Sequence, residues 1–313
     1  MVKILRKGEP IKIHILTCWA DKKGIHGYDF LKEPTVYKYF KMNTPNNSGR
    51  WGRIELVEDF YDADLYCCFR RARKEPKMIR YCPPHTVINF CREPMLQPNP
   101  NQIGEETLAT WTVNEHYNPQ EWWVWKTYDE LISESFPEKT KLLSFITTGR
   151  HRSKGHKFRL KLLEEFTKKY PNVLDLYGNP KGRFDLTKIP EYKGYIRDKW
   201  EGLSPYRYSI AIEKTFCPHY FSEKLIDPIL AGCMPIYQGC QKIDEYFPKG
   251  AVAKIDITRE DVVDQVWNII NSDYRESNLE ALREAKELIL NKYQVMPTFN
   301  MAINLLIEKG VII

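Results

Sequence analysis

Two hydrophobic periods run along this chain, and they assign its elements. In the first third, residues 11–16, 64–69 and 86–90 are short apolar or aromatic runs bounded by polar and proline-rich segments, which predicts strands. Gln97-Pro98-Asn99-Pro100-Asn101 places prolines at alternate positions, which denies both helix and ladder and predicts a loop. From residue 142 the alternation is regular: strand 142–147, helix 156–170, strands 173–177 and 206–212, helix 222–231, strands 234–237 and 252–255. Phe158, Leu162 and Phe166 give the first of these helices an apolar stripe at a four-residue period. Thr258 with Asp261 three residues on predicts a capped helix to about residue 271. An amphipathic helix over 279–293 then leads into a C-terminal tail expected to pack back on the first domain. Strands alternating with helices mean an α/β fold with a parallel, doubly wound sheet.

Length and composition narrow this further. At about 150 residues per domain, 313 residues predict two domains. The most linker-like stretch is 134–141, so the boundary is drawn between 1–138 and 139–313. With 42% apolar and 28% charged residues the chain is an ordinary globular one, which excludes collagen-like, disordered and small disulfide-rich classes. A net charge of +6 suits an anionic small ligand and is too small to argue for nucleic acid. Nineteen Tyr and eight Trp supply hydrogen-bonding rings of the kind that suit sugars or nucleosides. The eight cysteines form no CxxC pair or metal-finger spacing, so reduced thiols are expected. The longest apolar run near the N-terminus, residues 13–18, is far short of the ~20 residues that span a bilayer. The expectation is a cytoplasmic protein with no transmembrane segment, or the soluble part of a longer membrane-associated one.

Chemistry concentrates between residues 206 and 239. Tyr206-Arg-Tyr-Ser-Ile-Ala-Ile-Glu213 is a strand ending in a glutamate. After a loop containing His219 come Tyr220-Phe-Ser-Glu-Lys-Leu225, with Ser222 capping a helix whose first turn holds Glu223 and Lys224, and then Ala231-Gly-Cys-Met-Pro-Ile-Tyr-Gln-Gly239. In a doubly wound sheet, ligands bind beyond the carboxyl ends of the strands, where free helix N-termini attract phosphate oxygens, and Lys224 would hold a diphosphate there. Upstream, residues 150–159 gather Arg150, Arg152, Lys154, Lys157 and Arg159 around a helix start. Asp62-Ala63-Asp64 imitates a metal-binding Asp-x-Asp, but it precedes a strand where metal carboxylates normally follow one.

The three ordered blocks between 206 and 239 closely resemble the donor-binding signature of the α1,3/4-fucosyltransferases, glycosyltransferase family 10. About half of the chain carries some resemblance. It implies the GT-B fold, two Rossmann-like domains facing an interdomain cleft, with the acceptor bound by the first domain and GDP-fucose by the second. It also implies inverting transfer of L-fucose from GDP-fucose to a glycan hydroxyl, with the 3-OH of N-acetylglucosamine as the expected acceptor. By the same resemblance, Val87-Ile-Asn-Phe-Cys-Arg-Glu93 is a strand leading to the base Glu93, while Arg159 and Lys224, with Arg150 nearby, offset the diphosphate charge. Glu223 and Tyr220 orient the ribose and fucose, Glu213 supports the oxocarbenium charge or serves as second choice for base, and Tyr177 ends the family's Tyr-Gly strand. Trp122 and Trp123 are candidates for stacking on acceptor sugars, or for core packing. No metal is required, with Mn²⁺ or Mg²⁺ at most stimulatory. Two departures from the family stand out: Lys214 replaces the usual Asn, and Pro228 interrupts the helix 222–231, where a kink is expected. The alternatives are a GT-B transferase for another nucleotide sugar and an inactive glycan-binding relative.

Overall fold

The computed structural model describes residues 9–17, 36–70, 80–83, 86–91, 109–113, 119–180 and 182–310. The chain divides into two units, one comprising Met1–Pro119, Thr127–Ser133 and Leu290–Ile313, the other Gln120–Lys126 and Glu134–Ile289. The chain therefore passes between units four times, and no single cut separates them.

In the first unit, β1 (Ile11–Thr17), α1 (Val36–Lys41), β2 (Arg50–Trp51), β3 (Ile54–Leu56), β4 (Leu65–Arg70), β5 (Val87–Cys91), β6 (Ala109–Val113) and α2 (Tyr128–Ser133) follow in order. The sheet runs β2-β3-β1-β4-β5-β6, parallel throughout except for the β2–β3 hairpin. Alternation along β1 turns Ile11, Ile13 and Ile15 into one core cluster with Phe40, Phe90 and the last helix, while Leu16 joins Tyr66, Cys68 and Val87 in a second.

The second unit contains β7 (Lys141–Ile146), α3 (Lys154–Lys169), β8 (Leu174–Tyr177), β9 (Tyr192–Gly194), β10 (Tyr206–Ile212), α4 (Glu223–Leu230), β11 (Met234–Gln238), β12 (Ala253–Lys254), α5 (Val262–Ile270), α6 (Tyr274–Ser277) and α7 (Leu279–Leu288). Its sheet order is β12-β11-β10-β7-β8-β9, parallel at every pairing. Numbered within the unit this is 6-5-4-1-2-3, the Rossmann order, with the switch point between β7 and β10.

Four details differ from the sequence reading. The buried face of α3 runs through Gly155, Arg159, Leu162, Leu163 and Phe166, whereas Phe158 is half-buried and stacks on Phe216 at 6.3 Å. Thr258 caps no helix: its hydroxyl and N–H both donate back to Asp256 in a local turn, and α5 starts only at Val262. The expected helix over 279–293 is α7 continued by a π-helical stretch, Ile289–Tyr293, but the tail beyond it is itself a helix, α8 (Val295–Glu308), buried in the first unit's core. Pro228 sits in the last turn of α4, which simply ends at Leu230.

Candidate functional site

The carboxyl ends of β7 and β10 frame the site. β10 delivers Glu213, and two glycines let the backbone close around it. A Cβ on Gly155, in the first turn of α3, would lie 2.0 Å from the Glu213 carbonyl oxygen, and one on Gly239 would lie 2.4 Å from the Glu213 Cγ. The Gly155 N–H donates to the Lys214 carbonyl at 3.2 Å, so the start of α3 is docked directly on the loop that follows β10. Ser153 caps α3, accepting from the His156 N–H, while His156 Nδ1 accepts from the Ser153 N–H at 3.1 Å.

Glu213 is completely buried and fixes the start of α4. Its carboxylate accepts the Ser222 N–H at 2.8 Å and the Ser222 hydroxyl at 2.8–2.9 Å. Lys224 Nζ is 2.8 Å from Glu223 Oε1 and 4.0 Å from Glu213 Oε2. Burial pushes the Glu213 carboxyl upward, with Lys224 and Ser222 opposing. Burial pulls the Lys224 ammonium down, but Glu223 and Glu213 more than offset it and the net direction is up.

Arg159, one turn into α3, is only 4% exposed, and its buried Nε has no hydrogen-bond partner among the described residues. Burial lowers its guanidinium to about 10, with Glu213 and Glu223 opposing. The Thr147 hydroxyl, at the end of β7, is likewise buried and unpartnered among the described residues. His156 is held down to about 4, first by burial and then by the positive charges of Arg159, Lys224, Arg150 and Lys214. Burial and the surrounding positive charges thus both favour the neutral ring, an electrostatic setting suited to an anion.

The structure thus brings together Arg150, Arg159, Glu213, Ser222, Glu223 and Lys224. Tyr220 is buried beside them, with Lys214 Nζ 5.9 Å over its ring; the loop between is held by His219 Nδ1 against Tyr246 Oη at 2.9 Å. Tyr177 is engaged elsewhere: its hydroxyl is 2.8 Å from that of Tyr206, which donates to Asp175. Trp122 is 1% exposed and gives its indole N–H to the Lys126 carbonyl, so it is a core residue with no free face for a sugar. Trp123 is half-buried, and its backbone N–H donates to Asp227 at 2.7 Å. Glu93 lies outside the described residues. Asp62 and Asp64 both accept from Lys12, through its Nζ and its backbone N–H, and no cluster of three or more metal-ligating side chains occurs among the described residues.

Sequence reasoning missed Lys199, Asp227, Thr147 and His156. Lys199, Asp227, Arg159, Glu223 and Lys224 line one small cavity of about 20 Å³. Only His156 had a legible signal, its position three residues after a serine cap.

No family model matches the sequence. An α-(1,3)-fucosyltransferase B of Drosophila melanogaster is 32% identical over 96 residues, 29% of this chain and 21% of that protein. A protein named as a fucosyltransferase in Acanthamoeba polyphaga mimivirus is 36% identical over 75 residues, 23% of this chain and 12% of that protein. The matched stretches thus span about a fifth or less of those relatives. Among solved structures, an α-glucosyltransferase in complex with UDP and a 13-mer DNA superposes with a TM-score of 0.56 at 10% identity, covering 95% of this chain and 100% of that one. The fold is that of the GT-B glycosyltransferases, with two Rossmann-like units. The family that the chain resembles is the α1,3/4-fucosyltransferases, glycosyltransferase family 10.

Proposed function

We propose that this chain is an inverting fucosyltransferase that moves L-fucose from GDP-fucose to a glycan hydroxyl, the 3-OH of N-acetylglucosamine. The observation that carries the reading is the gathering of Arg159, Glu223 and Lys224 around one small cavity beside the capped start of α4, at the switch point of the second sheet. A diphosphate leaving group needs its charge met, and cations plus a helix N-terminus meet it without reorganisation. The relatives' names direct the choice of donor to GDP-fucose.

In this reading the acceptor oxygen attacks the fucose anomeric carbon as the bond to the diphosphate oxygen breaks and its electron pair leaves with GDP. Glu93 takes the acceptor's proton, as a carboxylate within ~3 Å of the hydroxyl is able to do. Arg159 and Lys224 neutralise the departing GDP, so a divalent ion is at most stimulatory. Glu223 and Tyr220 orient the donor's sugars. Glu213 is here a positioning residue, since both of its oxygens serve Ser222 at the start of α4.

The test is product analysis by NMR after incubation with GDP-fucose and an N-acetyllactosamine acceptor, alongside calorimetry with GDP and UDP. A fucosylated product and selective GDP binding are expected. Selective UDP binding without a fucosylated product would redirect the reading to another nucleotide sugar.

A further inference from the structure

Asp227 is 1% exposed on α4, one turn beyond Glu223, and it joins three segments. Its Oδ2 lies 2.6 Å from Lys199 Nζ, in the loop between β9 and β10, and its Oδ1 accepts the Trp123 N–H at 2.7 Å. Lys199 in turn stands 3.9 Å from Glu223 Oε1, which also has the Lys224 ammonium at 2.8 Å. Glu223 is thereby set between two ammonium groups, one of them anchored from behind by a buried carboxylate. Resting on the donor-site reading above, we infer that Lys199 and Asp227 form a positioning pair, which fixes the Glu223 carboxylate for a donor hydroxyl and ties its orientation to the 120–126 segment.

A purely stabilising role explains the pair poorly. Taking a carboxylate out of water costs several kcal/mol, and buried charge pairs are often replaceable by apolar residues at no loss. Here the pair lines the same cavity as Arg159 and Lys224, where a fixed charge pattern has a use. The groups facing Asp227 are Lys199 from its loop, Glu223 from its own helix and the Trp123 N–H from the 120–126 segment. Burial raises the Asp227 carboxyl to about 6, against the pull of Lys199. Protonation below that pH frees Lys199 and loosens Glu223, so donor affinity falls as pH drops through about 6.

The test is GDP-fucose binding by calorimetry from pH 7.5 to 5. This ligand lacks a terminal phosphate and so has no second ionisation near ~6 to confuse the profile. Wild type is expected to lose affinity on the acid side, while Asp227→Asn starts weaker and shows a flat profile. Lys199→Met is expected to bind about tenfold more weakly, with Lys199→Arg restoring most of the loss and thermal melts confirming that each variant folds. If wild type binds GDP-fucose and Asp227→Asn keeps both its affinity and its acid limb, the positioning role falls while the donor site stands. If wild type binds no GDP-fucose at all, the donor-site reading falls, and this inference with it.

Discussion

Lys224 keeps its ammonium beside two carboxylates, whereas Arg159 is buried with an unpartnered Nε. The two cations therefore respond differently to substitution. On the proposed donor site, Lys224→Ala would remove one charge-assisted contact to a diphosphate, worth about 1.5–3 kcal/mol, and leave Glu213 still held by Ser222. GDP affinity is expected to weaken at least tenfold with the fold intact, and calorimetry showing unchanged affinity would refute the assignment. His156 gives a pH prediction. Its folded value of about 4 lies below the ordinary 6.5, so the unfolded chain takes up the proton first. Stability from the neutral ring is complete above about 6.5 and is lost as pH falls toward 4, when Nδ1 no longer accepts from the Ser153 N–H. His156→Gln keeps a capping side chain without that titration, so its melting temperature should decline less than wild type between pH 7 and 4.5; parallel declines would show that His156 carries none of the acid sensitivity. At this scale the sequence made Arg159, Glu213, Ser222, Glu223 and Lys224 legible, because they fall in blocks around strand ends and helix starts. Lys199 and Asp227 are 28 residues apart, and only the parallel topology makes them neighbours.

The elements that position the site were readable where burial was complete and missed where local turns decided the outcome. β10 keeps the same bounds, 206–212, in both readings, since a strand flanked by neighbours on both sides is apolar nearly throughout. The β2–β3 hairpin left no periodic signal, being two and three residues long, and it turns through Gly52 at positive φ with Arg53 donating to the Asn300 side chain. α8 falls in the stretch expected to be a C-terminal tail; its Pro297 lies in the first turn, where a missing N–H costs little. The docking of α3 on the loop after β10 yields a prediction. A methyl on Gly155 would lie 2.0 Å from one backbone atom and 2.8 Å from another, Glu213 O and Lys214 C. Neither is able to swing away as a side chain would, so Gly155→Ala has to push the start of α3 off the strand end. Overpacking of this kind costs about 1–3 kcal/mol, and since it displaces Arg159 along with the helix, GDP affinity is expected to fall with stability. A variant with a lowered melting temperature and undiminished GDP affinity would mean that the site does not depend on this docking.

Across the whole molecule, the four crossings between units mean that each unit borrows sequence from beyond its own half. The second unit takes in Gln120–Lys126, with the buried Trp122, and the first takes back Leu290–Ile313. A composition shift near 134–141 marks one of these passages, but nothing in the composition marks the return, because α8 is as apolar as any core helix. Phe299 is its central contact, fully buried with its ring centroid 4.4 Å from that of Phe90 on β5. Phe299→Ala opens a cavity in the first unit's core and should cost about 3–5 kcal/mol. All the proposed nucleotide-binding residues lie in the second unit, whereas α8 belongs to the first. Calorimetric unfolding of Phe299→Ala is therefore expected to show one transition lowered relative to wild type and a second, GDP-stabilised transition near its original temperature, since a ligand raises the stability only of the unit it binds. One shared transition that Phe299→Ala lowers and GDP raises as a whole would show instead that the two units unfold together, and that the last helix governs the donor site through the stability of the entire chain.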